Sequence, residues 1–450
     1  MIKREHYIEK IRKFYDSEQI KIITGIKDSG KSVILNQIMA EISERSDNII
    51  YLNFGDKRVS ANIKTPDALL GYVEERVKRG KSYLFFDEMQ VMSGWEAACA
   101  ALQVLGYSLF VIGSDRDFMS ESFEKALGGK YVSFRIRPFV YKEILEYADE
   151  LGKNVTVDDY LELGGLPKRF EFDGKDAQLR YLDELDGAII DGIIRRYKIR
   201  KEDLFLSLVD FVLQSNGKIF SEKAIYDRIT AEHGSCSINT IMKYLDYLKE
   251  AYVIETAEQF SSRALRTLVF YTKIYNTDVA FNSIRRMDGQ VDMGQNLENT
   301  VYNELIYRGY DVSVYDNGGK KIDILARKGG EEYFIQTVYG DQKSEIGLSE
   351  SFRGLVGEAK KIVISYGAKR SLSGVICINL DDFLLMDSLG EIEFELTNEN
   401  FAEETARSQT VRPKKKAVRV EKKPKVIKEE KFEEKKPEEK KKKVPFYQIF

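Results

Sequence analysis

The chain has little of what builds metal centres and disulfide frameworks. Its 450 residues include three cysteines, two histidines, one tryptophan and seven prolines. Cys99, Cys236 and Cys377 are odd in number and far apart, which fits neither a disulfide scaffold nor a zinc site. His6 and His233 are too few for a histidine-built metal centre or a Ser–His triad. No apolar run approaches the roughly 20 residues that a membrane span needs. The opening Met1-Ile-Lys-Arg-Glu-His has no apolar signal region, so a cytoplasmic protein is expected. What is present is globular in character, with 43% hydrophobic and 32% charged residues. The length exceeds one ordinary core, which predicts three folded units and a tail.

Charge is unevenly spread. Residues 401–450 hold 17 Lys/Arg against 9 Asp/Glu, a balance of +8 in a chain whose total is −3, so the first 400 residues carry −11. An acidic body argues against tight duplex binding by the folded part. The basic tail offers salt-dependent attraction to nucleic acid or an anionic membrane.

Chemistry enters at Gly25-Ile26-Lys27-Asp28-Ser29-Gly30-Lys31-Ser32, which fits the phosphate-loop pattern G-x-x-x-x-G-K-[ST]. The apolar β-type run Ile20–Thr24 precedes it, and Val33-Ile-Leu-Asn-Gln-Ile-Met follows with helical spacing. Such a loop curls its N–H groups onto a β-phosphate at the positive end of a helix. Lys31 then reaches the β- and γ-phosphates, and the Ser32 hydroxyl ligates Mg²⁺. ATP and Mg²⁺ are the expected ligands. Ser82-Tyr-Leu-Phe-Phe-Asp87-Glu88 supplies the second half, because four bulky β-formers deliver Asp87 to the carboxyl end of a strand. Asp87 is the candidate metal ligand, and Glu88 the base that polarises the attacking water. Leu109-Phe-Val-Ile-Gly-Ser114 ends at the same sheet edge, so Ser114 or Asp115 is a candidate sensor of that water.

Residues 1–145 alternate apolar runs with helical stretches, which predicts a mostly parallel, doubly covered α/β sheet. Its expected strands are Ile20–Thr24, Asn48–Phe54, Ser82–Asp87, Ser108–Ser114 and Tyr131–Ile136. Residues 146–200 read as a helical lid or connector, broken at Gly164-Gly165-Leu166-Pro167. Residues 201–256 give helical periods and then the short β-type run Tyr252–Glu255, a winged-helix pattern. There, Ser237 caps a helix whose Ile238, Ile241, Leu245 and Leu248 share one face, with Asn239, Thr240 and Lys243 lying off it. Those three residues are candidate DNA contacts. The competing reading is a packing module that relays nucleotide state, favoured by Asp246, Glu250 and the acidic body.

Several segments in order carry a resemblance: Asp87-Glu-Met-Gln90 with Trp95-Glu96, Gly113-Ser114, Leu127-Gly-Gly-Lys-Tyr-Val132, Pro138-Phe139 and Gly164-Gly-Leu-Pro167. Over about residues 15–390 the chain resembles prokaryotic AAA-type ATPases that end in a domain of unknown function similar to restriction endonucleases. The resemblance implies an AAA-like P-loop NTPase sheet, a winged-helix unit and then a mixed α/β nuclease-like domain over 257–395. In that domain Glu298, Asp323 and Gln336 match the metal-holding Glu, Asp and Glu/Gln. The lysine that normally follows the last ligand by two positions is replaced by Val338, so a catalytically degenerate site is expected. Lys27 and Asp28 stand where the family carries basic loop residues, and Lys130 where an arginine is usual. Arg135, Arg137, Arg195 and Arg196 are alternative arginine fingers.

Residues 396–450 are Lys/Glu/Pro-rich and are expected to be disordered. They end in the aromatic motif Val444-Pro-Phe-Tyr-Gln-Ile-Phe450, a candidate docking segment for a protein partner. Three functions follow: an ATPase coupled to partner binding, a nucleotide-gated DNA-binding protein, and an ATP-linked nuclease.

Overall fold

Short runs of bulky residues without proline build the first sheet. In a computed structural model they form β1 (Ile20–Thr24), β2 (Ile49–Asn53), β3 (Tyr83–Asp87), β4 (Ser108–Ile112) and β5 (Tyr131–Arg135), all parallel, in the order β2-β3-β4-β1-β5. The structure describes residues 2–392 except 114–126, 234–235, 262–265, 287–290, 318–319, 342–344, 354, 356–358 and 368–371. The candidate sensors Ser114 and Asp115, and the whole tail, lie outside the described residues.

Every residue of the central strands β1, β3 and β4 is buried, whereas the edge strands β2 and β5 alternate. A parallel sheet covered on both faces reads in sequence as a continuous apolar run for this reason. On one face, α1 (Glu5–Arg12) and α2 (Lys31–Ser43) bring Ile8, Ile11, Ile34 and Ile38 against Ile23, Phe85 and Phe110. On the other, the helices Pro66–Glu74 and Trp95–Val104 set Leu69, Val73, Cys99 and Leu102 against Ile22, Phe86 and Val111.

Beyond this sheet, the helices Lys175–Tyr197, Glu202–Leu213 and Ile238–Glu250 share a core. Ile26, inside the phosphate loop, is part of that core. The remaining strands are β6 (Ile219–Ser221), β7 (Ile254–Ser261), β8 (Arg266–Asn276), β9 (Asp311–Asn317), β10 (Lys320–Lys328), β11 (Glu331–Tyr339), β12 (Lys360–Tyr366) and β13 (Ile376–Asn379). They form one mixed sheet in the order β13-β12-β11-β10-β9-β7-β8-β6. β7 runs through residues 256 and 257 and pairs antiparallel with β8 and parallel with β9, so the sheet is continuous there.

The helix Met293–Tyr307 bears Asn296, Asn299 and Asn303, whose spacing puts them on one face. Asn296 donates to Leu161 O (2.7 Å), Asn299 exchanges two bonds of 2.8 Å with the Asn276 backbone, and Asn303 accepts from Arg137 Nη2 (2.8 Å). Among the described residues no helix is long and apolar enough to cross a membrane.

Lys21 is a buried cation of the first sheet with no carboxylate bonded to it among the described residues. Lys21 on β1 is fully enclosed, donates to Ser108 Oγ (2.8 Å) and lies over the Phe110 ring. Burial, reinforced by Lys81, pushes its pKa down to about 7. Because the folded pKa lies below the unfolded value of 10.5, the unfolded chain binds the extra proton between those values, and stability rises with pH there. Lys21→Met should therefore raise the melting temperature by roughly 2 °C or more at pH 6. The gain should shrink from pH 7 towards pH 10, as a scanning-fluorimetry pH series will show.

Candidate nucleotide-binding site

The loop between β1 and α2 owes its shape to two glycines. Gly25 has φ +145°, and a Cβ there would lie 2.1 Å from Ile136 O, so the loop closes down on the end of β5. Gly30 has φ +93° and precedes the first residue of α2, Lys31. Lys31 Nζ donates back to Gly25 O (3.0 Å) and Ile26 O (2.8 Å). Ser32 Oγ donates to Asp87 Oδ2 (2.9 Å), which ties the loop to the end of β3. The other Asp87 oxygen, Oδ1, is buried with no hydrogen-bond partner among the described residues. Burial raises the Asp87 pKa. Glu88 has φ +52°, and its carboxylate accepts from the Gln90 amide.

The loop and Glu88 open onto a cavity of about 750 Å³. Lys27, Asp28, Gly30, Lys31, Ser32 and Glu88 form one wall. The helix Lys175–Tyr197 forms the facing wall with Gly192, Ile193, Arg195 and Arg196, joined by Ala251. Ile2, Phe139, Tyr147, Pro167 and Ile189 make part of the lining apolar. Lys31, Ser32, Asp87 and Glu88 are thus brought together.

The arginines separate by position. Arg135 and Arg137 lie at and just beyond the end of β5 and both bond Glu255 Oε1 at 2.7 Å. Burial alone would raise the Glu255 pKa, but the two guanidiniums prevail and hold it at about 2. Lys130 is exposed and, like those two arginines, is absent from the cavity lining, which Arg195 and Arg196 supply.

Three contacts escape sequence reasoning because each joins distant segments. Asp28 Oδ2 accepts from Tyr181 OH (3.0 Å) on the facing helix. Tyr252 OH donates to Thr24 Oγ1 (2.9 Å), the residue before the loop. Arg4 reaches the loop itself, donating to Ser29 O (3.0 Å). No local signal marks any of these pairs.

On the helix Ile238–Glu250, Asn239 and Lys243 are exposed. Thr240 is half-buried, and its N–H and hydroxyl both engage Ser237 Oγ, the cap of its own helix. At the far end Tyr247 stacks on Tyr197 with ring centroids 3.6 Å apart, and Glu250 accepts from Tyr197 OH.

In the mixed sheet, Glu298 is held by an ion pair with Lys273 and accepts from Tyr275 OH (2.8 Å). Lys273 also reaches Asp323 O (3.4 Å). Asp323 Oδ2 accepts from Thr337 N (3.0 Å) and its hydroxyl, and the Gln336 amide donates to Lys321 O (2.9 Å). Lys273, a cation from β8, has no signal in the sequence, because it lies far upstream of the motif. Val338 is a core residue. Among the described residues no group of three or more His, Cys, Asp or Glu is placed to hold a metal.

Residues 17–145 match a family described as an AAA domain, and residues 154–287 one described as a domain of unknown function (DUF8612). With the parallel five-stranded sheet and the phosphate loop, the first match identifies an AAA-type P-loop NTPase domain. The chain is 28% identical over 400 residues to an uncharacterized protein of Haemophilus influenzae, covering 86% of this chain and 99% of that one. It is 27% identical over 341 residues to the uncharacterized protein MJ1544 of Methanocaldococcus jannaschii, covering 73% and 74% respectively. Among solved structures, AMPPCP-bound DnaA from Aquifex aeolicus aligns with 54% of this chain and 86% of its own, at 16% identity and a TM-score of 0.31.

Glu255→Gln removes the negative charge shared by buried Arg137 and half-buried Arg135. A loss of about 3 kcal/mol is expected at pH 7. Since the folded pKa is depressed, this stabilisation is complete above the unfolded value of 4.5 and is lost as pH falls towards 2. Denaturant melts of both proteins across that range should converge at the acid end.

Proposed function

We propose that the chain is a cytoplasmic, Mg²⁺-dependent ATPase whose hydrolysis cycle changes the arrangement of its helical and C-terminal units and so the binding of a partner. The observation that carries this reading is the cavity. It is lined by the phosphate loop and Glu88 together with two arginines of another element, and Asp87 joins the loop through its bond from Ser32. In this reading Lys31 exchanges its two loop carbonyls for the β- and γ-phosphates. Arg195 and Arg196 approach the same charge from across the cavity, and the apolar lining residues receive the base.

The residues present suit Mg²⁺. Ser32 Oγ and Asp87 are hard oxygen donors, and the buried Oδ1 of Asp87, without a partner among the described residues, is an oxygen that a cation would satisfy. The bound ion would neutralise phosphate charge. Glu88, in reach of the same cavity, polarises the attacking water and accepts its proton.

A second reading, nucleotide-gated DNA binding, draws on one observation. Asn239 and Lys243 are exposed on a helix whose other end, through Tyr247, Glu250 and Ala251, touches the cavity wall. Under it, duplex DNA stimulates turnover at low salt, the effect fades as salt rises, and Lys243→Glu removes it. Turnover indifferent to DNA leaves the partner a protein. In either case the Glu298 carboxylate, engaged by Lys273 and Tyr275, serves packing, and supercoiled plasmid stays intact with Mg²⁺ and ATP.

Glu88→Gln tests the core of the proposal. Turnover should fall about 100-fold or more, while ATP affinity by calorimetry stays close to that of the parent. Unchanged turnover would remove Glu88 from the mechanism.

A further inference from the structure

Gly30 poses a problem that the phosphate-loop motif does not solve. A glycine with φ +93° has no Cβ to restrict the peptide bond before it. That peptide can present either its N–H or its C=O to a bound phosphate. The first is attractive and the second repels, so a group outside the motif has to choose between them.

Arg4 is placed to make that choice. It lies just before α1 and is 2% exposed, with its guanidinium packed against the rings of Tyr7 and Phe139. Its Nε and Nη2 fork onto the two oxygens of Glu143, each at 2.8 Å. Nη1 donates to Ser29 O and to Arg137 O, both at 3.0 Å, and Nη2 makes a long contact of 3.5 Å with Pro138 O. An arginine has five N–H groups, so none is left over for a ligand. Glu143 is fixed in turn, accepting from Val140 N (3.2 Å) and Tyr307 OH (3.4 Å). Arg4 therefore lines the cavity without a donor to offer it.

We propose that Arg4 is a positioning residue for the phosphate loop: by holding the Ser29 carbonyl outward, it turns the Gly30 N–H towards the phosphates. The peptide is trans, so its C=O and N–H point in opposite directions and fixing one fixes the other. The inference rests on the ATP-binding reading above. Lysine cannot substitute, because one ammonium lacks the planar fork needed to bond Glu143 and two backbone carbonyls in fixed directions.

The test is Mg²⁺-ATP affinity of the full chain by calorimetry, with KM and kcat measured alongside. Arg4→Ala should weaken binding at least about tenfold, the order expected for a lost charge-directed contact. KM should rise by more than kcat falls, since the loop N–H groups bind the ground state as well as the transition state. Methylguanidinium added to Arg4→Ala should recover part of the affinity, and Arg4→Lys should recover little. Wild-type affinity in Arg4→Ala or Arg4→Lys would overturn the inference. If Arg4→Ala does not fold, Glu143→Gln takes its place: it leaves the arginine but removes its anchor, and should weaken ATP binding severalfold, so unchanged affinity would again overturn the idea. Lys31→Ala separates this from failure of the underlying reading. Intact binding in that variant would sink the ATP site as a whole, whereas intact binding in the Arg4 variants alone sinks only the role of Arg4.

Discussion

The carboxylate of Glu255 is the contact on which the join between the two sheets depends. It sits on β7 and bonds Arg135 at the end of β5 and Arg137 just beyond it, with Tyr302 OH as a further donor at 3.2 Å. Arg135 is in register with Thr24, so this joint lies one residue from the phosphate loop. Tyr252 reinforces it by bonding Thr24 and lying beneath the Arg135 guanidinium. An ion pair this deep adds modest net stability, because desolvation offsets most of the attraction. What it imposes is geometry. Two apolar surfaces can slide, whereas a shared carboxylate between two guanidiniums has one satisfactory arrangement.

The asparagine face of the helix Met293–Tyr307 extends the same logic. Asn303 bonds Arg137, Asn299 pairs with the backbone at the end of β8, and Asn296 bonds Leu161 from the helical segment. Buried amides are costly unless their partners are met. A displacement of the helix along its neighbours would break several bonds together. The polar contacts between the two sheets thus resist slippage, while Ile26 carries the phosphate loop into the apolar core of the helical unit.

This division explains what is readable in the sequence. β1, β3 and β4 are legible because strands buried on both faces have to be apolar throughout. The phosphate loop is legible because its chemistry is local: two glycines, a lysine and a serine act within one turn. Asp87 and Glu88 follow from the strand that ends at them. Arg4, Tyr181, Glu255 and Lys273 are not legible, since each works through a partner far away in the chain, and a charged residue alone looks the same on a surface as in a joint. β7 is visible only in part, as Tyr252–Glu255, because its later residues are ordered by β8 and β9. Asp28 reads in sequence as a departure from an expected basic residue, and its bond to Tyr181 gives that acid a specific partner.

The same bond bears on how a change in the proposed nucleotide cycle would leave the cavity. The helix Lys175–Tyr197 has 23 residues and so spans roughly 34 Å. Near its start Tyr181 holds Asp28 of the loop, and at its end Tyr197 holds Tyr247 and Glu250 of the next unit. Arg195 and Arg196 lie beside that far end and face the cavity. Phosphate charge gained or lost between the loop and these arginines acts on both ends of one stiff rod. The loop end is tied to the first sheet, so the freer response is a tilt that moves Tyr197. The helix Ile238–Glu250 would move with it, through a ring stack and a hydrogen bond that both have to shift together.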